Sequence, residues 1–194
     1  MNRREMMAGL TALPLAATNT GWQVFPEATQ LISAARRQVG VTIDYDPAYV
    51  RLAYPGGDVA RETGVCIDVV VRAYRDAFEF DFQKAIHEDM RANFSAYPRT
   101  WGLSRPDRNI DHRRVPNLET WLTRHAEELP AENWQPGDLL TCRVDASLPH
   151  IAIISDKTTA WGEPLVLHNI GLGTREERLI GRFDHERRFR YYPA

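Results

Sequence analysis

Apolar positions recur at helical spacing in several windows of the first two-thirds of the chain. In Thr63–Ala77 (TGVCIDVVVRAYRDA) they fall at Cys66, Val69, Val70, Ala73 and Ala77, one stripe of a helix. Arg72, Arg75 and Asp76 fall off that stripe. Gly64 fits a tight turn just before it, so Cys66 is expected in the first turn of a helix ending near Phe78. Glu27–Val39 has the same periodicity through Leu31, Ala34, Ala35 and Gln38, with Gly40 as its stop. Asp81–Phe94 repeats it through Phe82, Ile86, Met90 and Phe94. After Asn117 comes LETWLTRHAEEL, expected to stay helical until Pro130.

Beyond Pro130 the pattern shortens to strand-length runs between turn residues: LLTCRV after Pro136-Gly137-Asp138, then HIAIISD, PLVLHNIG, REERLIG and ERRFRYY. Helices first and about five antiparallel strands afterwards predict an α+β fold. Tyr97–Pro116, rich in Arg, Pro and Asn, has no period. A loop of that length in a compact domain is usually functional, and Tyr97, Trp101, Leu103 and Ile110 argue that it is ordered.

The N-terminus changes the reading of where the protein works. Arg3 and Arg4 precede an apolar stretch, Met6–Ala17, that is too short to span a bilayer. This is the pattern of a secretory signal over residues 1–17, and the paired arginines suit the twin-arginine route to a periplasmic or otherwise exported destination. Residues 18–27 then read as a linker and 28–194 as one domain. No membrane segment is expected once the signal is removed. A net charge of −2 over 194 residues gives no reason to expect nucleic acid.

Candidate chemistry centres on the two cysteines and six histidines. Cys142 sits mid-strand and reads as a small hydrophobe. Cys66 sits where the helix dipole and free backbone N–H groups favour a thiolate. His150 opens one strand and His168 closes the next, so antiparallel pairing would bring them together. That supplies nucleophile, base and orienting group. Asp68 reads as a first-turn acid that steadies the helix, or as a group that binds a substrate amine. Arg113 and Arg114 read as loop-bracing residues or as a grip for a substrate carboxylate. His87-Glu88-Asp89 are consecutive on a helix and cannot converge on one metal, so neither metal nor cofactor is expected.

Tyr54-Pro55-Gly56-Gly57, Gly64-Val65-Cys66, Pro136-Gly137-Asp138-Leu139, His150-Ile151-Ala152-Ile153 and Leu167-His168 together resemble the NlpC-type cell-wall peptidases of the papain-like clan. More closely, GVCIDVVVRAY, HEDMRANF, NIDHRRVPNL and LPHIAII are similar to an exported bacterial family catalogued as domain of unknown function 1287, usually grouped with that clan. The resemblance implies a papain-like fold with Cys66 as nucleophile, His150 as base, His168 orienting it and the Tyr54 hydroxyl near the thiolate. It also implies cleavage of an amide in peptidoglycan peptides. The same triad would serve an acyltransferase, and the same fold a non-catalytic envelope binding protein. The usual Asp-Cys-Ser-Gly is here Val65-Cys66-Ile67-Asp68, which leaves the substrate open.

Overall fold

A computed structural model describes residues 25–193. The expected signal, residues 1–17, lies outside them, as does most of the expected linker. Helix α1 (Pro26–Arg36) begins inside that linker, with Pro26 at its first turn, where a missing N–H costs nothing. It buries Leu31, Ala34 and Ala35 as the periodicity requires. Gln38, just beyond, is buried too and donates from Nε2 to the Val69 carbonyl at 2.8 Å. Helix α2 (Cys66–Phe78) spans the expected range and ends on Glu79 in the left-handed conformation. Helix α3 (Phe82–Asn93) is capped by Asp81, whose carboxylate accepts from the Gln83 N–H.

Helix α4 (Val115–His125) is shorter than expected. Ala126 turns extended, and Glu127–Leu129 becomes a strand instead of a last helical turn. Ala, Glu and Leu are helix formers, but pairing with the last strand of the sheet overrides their propensity here. That edge strand raises the expected five strands to six. Two short strands, β1 (Asp44–Tyr45) and β2 (Thr63–Gly64), form a separate parallel pair. The main sheet comprises β3 (Glu127–Leu129), β4 (Leu139–Val144), β5 (Leu148–Thr158), β6 (Pro164–Asn169), β7 (Thr174–Glu177) and β8 (Asp184–Arg190). It is antiparallel throughout in the order β3-β8-β4-β5-β6-β7.

The alternation of β5 divides its side chains between two cores. Ile151 and Ile153 join Leu139, Leu167 and Phe189 against α1 and α2. Ala152 and Ile154 pack with Leu140, Cys142, Val166 and Leu179 on the other face. Gly137 makes the turn into β4 at φ +85°, and a Cβ there would stand 2.8 Å from that of Ala28, so this close approach to α1 needs glycine.

Arg72 corrects the expectation for α2. It lies off the apolar stripe yet is fully buried. Its guanidinium donates to both oxygens of Asp58 and to the carbonyls of Val59 and Ala60, satisfying the turn that precedes β2.

Candidate functional site

Cys66 opens α2 and is buried, the residue 4 % exposed. No Ser or Asn caps this helix. The Asp68 carboxylate reaches back to the Val65 N–H at 2.7 Å instead. The sulfur faces three backbone N–H groups: its own, that of Ile67 in the same helix, and that of Ile151 in β5. Burial outweighs those donors and pushes the thiol up to about 12, and the negative charge of Asp68 adds to the rise. The expected dipole-stabilised thiolate is therefore corrected: desolvation wins, and the resting group is a thiol.

The two histidines meet as the strand order predicts. His150 Nε2 and His168 Nδ1 are 2.8 Å apart, and His168 Nε2 is 3.2 Å from a Glu177 carboxylate oxygen on β7. This chain sets the tautomers. The Glu177 carboxylate can only accept, so His168 donates from Nε2 and accepts at Nδ1, and His150 donates from Nε2. The lone pair of His150 is thereby left on Nδ1, the nitrogen a general base would use. Burial holds both imidazoles neutral: His150 is pushed down to about 3, with His168 as the second cause, and His168 is also lowered. His150 shares a pleat side with Ala152 and Cys142, whereas Ile151 faces α2. Cys66 thus contacts β5 one residue beyond the base, and among the described residues no hydrogen bond joins Cys66 to His150.

A cleft of about 190 Å³ opens on Cys66, walled by Tyr45, Val65, Trp101, Arg114 and Pro149. Tyr45 corrects the expectation for Tyr54. The Tyr54 ring packs edge-on against His87, 5.2 Å between centroids, with Arg108 over it at 5.6 Å. Tyr45 instead faces the Cys66 thiol, and burial followed by the charges of Cys66 and Asp68 pushes its hydroxyl up to about 12. The parallel pairing of Tyr45 with Gly64 puts it there.

Asp68 and Arg113 are not free to grip a substrate. Arg113 donates from Nε and Nη2 to the two Asp68 oxygens at 2.9 and 2.8 Å, both side chains buried, and its remaining donors reach the carbonyls of Asp46 and Ala48. Arg114 lies 4.0 Å over the Trp101 ring and pairs with Asp111 at 3.1 Å on the cleft wall. Of the three residues expected to contact substrate, it alone combines a cleft position with spare donors. Cys142 is buried and unbridged, as is Cys66. Asp89 is taken up by Tyr97 and Arg124.

Three residues of this site carry no signal in the sequence. Tyr45 sits in a turn-rich stretch. Glu177 sits in a charged run that reads as solvated. Asn169 spans elements: its Nδ2 donates to the Gly64 carbonyl at 3.0 Å and its Oδ1 accepts from the Gly171 N–H. Only the fold brings them together.

The described family model "Domain of unknown function (DUF1287)" matches residues 32–191. The chain is also 50% identical over 166 residues to "Uncharacterized protein YijF" of Escherichia coli (strain K12), covering 84% of this chain and 80% of that protein. The matched span holds all four helices but the first turns of α1, the whole six-stranded sheet and every residue of the cleft, and the chain belongs to the DUF1287 family.

Proposed function

We propose that the protein is an exported cysteine hydrolase of the papain-like type that cleaves an amide bond in cell-wall peptides. The observation that carries the reading is the placement of Cys66. It combines a helix start, three converging backbone N–H groups and a β5 contact one residue from an imidazole whose unprotonated nitrogen is defined by a His–Glu relay.

The chemistry follows from the neutral resting state. Thiol and imidazole are both uncharged, so the Cys66 proton moves to His150 Nδ1 as the sulfur attacks the carbonyl carbon. The N–H groups of Ile67 and Ile151 lie where they can stabilise negative charge beside the sulfur. Collapse of the tetrahedral species breaks the C–N bond, returns the proton to the leaving amine and leaves a thioester. Water, deprotonated by His150, then releases the acid and the free thiol. Because His150 lies on the pleat side of β5 away from α2, this first step requires the start of β5 to turn His150 toward the sulfur.

Digestion of purified muropeptides by the wild-type protein and by Cys66→Ala tests the reading. Loss of product in a folded variant is the expected result, and equal cleavage by both would remove Cys66 from the mechanism. The deeply buried thiol, which has no imidazole beside it among the described contacts, favours one competing reading, an envelope binding protein without catalysis. In that case neither form cleaves, and both bind muropeptides with the same affinity.

A further inference from the structure

A second and larger concavity, about 710 Å³, lies beside the Cys66 cleft and is lined by Tyr49, Arg51, His87, Arg91, Arg105 and Arg108 among others. Its four arginines come from three separate parts of the chain: the segment after β1, helix α3 and the long loop before α4. An arginine run on one face is ordinarily a solvated surface. This is a different arrangement, because guanidiniums remote in sequence converge on one hollow.

None of these four is held by a carboxylate among the described residues. Arg72, Arg113, Arg143 and Arg188 each hold a carboxylate. Among the described residues, Arg51, Arg91, Arg105 and Arg108 hold none. The one carboxylate among the lining residues, Asp107, accepts from the Tyr49 hydroxyl, the Asn109 N–H and the Asn109 amide and offsets one of the four positive charges. His87 contributes a buried Nδ1 that has no hydrogen-bond partner among the described residues. Four guanidiniums against one carboxylate leave a positive excess around the hollow, and an anion there relieves the repulsion.

We infer that this cleft is an anion-binding site, built for a compound with two or more neighbouring oxyanion charges, which the planar guanidinium forks would hold in paired hydrogen bonds. The site does not depend on the chemistry assigned to Cys66. The same two loops contribute to both hollows: Pro47 and Trp101 line the first, Tyr49 and Leu103 the second.

Calorimetric titration of the full chain with inorganic pyrophosphate, and separately with tricarballylate, tests the inference and tells a phosphate source from a carboxylate one. Saturable binding of at least one probe is expected, weakening as salt is raised. Arg91→Ala and Arg105→Ala should each cost about tenfold in affinity, the order of a charge-assisted hydrogen bond. Arg37→Ala, on an exposed arginine at the end of α1, should cost nothing. A thermal melt of each variant keeps loss of binding separate from loss of fold. Failure of both probes to saturate, or unchanged affinity in the folded Arg91→Ala/Arg105→Ala variant, would overturn the site.

Discussion

Glu177 decides which nitrogen of His150 carries the proton, though His168 stands between them. Replacing its carboxylate with an amide removes that decision, because an amide can donate as well as accept. Glu177→Gln should lower kcat by about tenfold or more with little change in KM, and should move the acidic limb of the pH–rate profile. An unchanged profile would show that His168 orients the base unaided. Arg113 poses a stability question at the same scale. Arg113→Met would leave the Asp68 charge buried with one backbone donor, and breaking such a pair costs about 3–5 kcal/mol. Urea unfolding would measure it, and a loss below about 1 kcal/mol would mean that Asp68 finds water instead.

At the scale of elements, Asn169 fastens the end of β6 to Gly64, two residues before the candidate nucleophile. The strand that carries His168 is thereby tied to the start of α2. Asn169→Ala leaves a buried carbonyl unpaired, at about 1–3 kcal/mol, and frees the two elements to shift. Activity should fall further than stability does. A variant equally active at a temperature well below its melting point would show that packing alone holds the alignment.

Elements also show what could be read in the sequence. The start of α2 is legible because a glycine turn and an apolar stripe agree. The meeting of His150 and His168 is legible because neighbouring antiparallel strands are short and the turns between them are marked. Strand β3 is not, since its residues prefer helix and only β8 makes it a strand. Tyr45 and the Asp68–Arg113 pair are illegible for another reason: the latter partners stand 45 residues apart, and no local pattern encodes which loop returns to a helix start. Periodicity also misplaces Arg72, because an arginine that satisfies several carbonyls at once can be buried without belonging to an apolar stripe.

For the molecule as a whole, the buried histidines set a pH response. His112 is pushed down to about 4 and His150 to about 3, chiefly by burial. In the unfolded chain both titrate near 6.5. Below that pH the unfolded state binds more protons, so stability that is complete above it is lost as pH falls toward the folded values. The loss amounts to about 2 kcal/mol for each imidazole by pH 5. Urea midpoints should fall steadily from pH 7 to pH 5, a range above the titration of Asp89 and Glu176, which ion pairing holds down at about 2. A flat profile over that range would mean that the imidazoles gain charge inside the fold.

One carboxylate, Asp68, both closes the first turn of α2 and receives the guanidinium that gathers residues 46 and 48 to the rim. The thiol and its surrounding wall therefore hang from a single knot. A drift in ligand preference cannot come cheaply from this stretch: any new loop at Arg113 would have to bring its own cation or abandon the helix start. Substitutions that retune the ligand are then left to the rim beyond the knot, at Trp101, Arg114 and the arginine-lined hollow, where side chains can be exchanged without untying it.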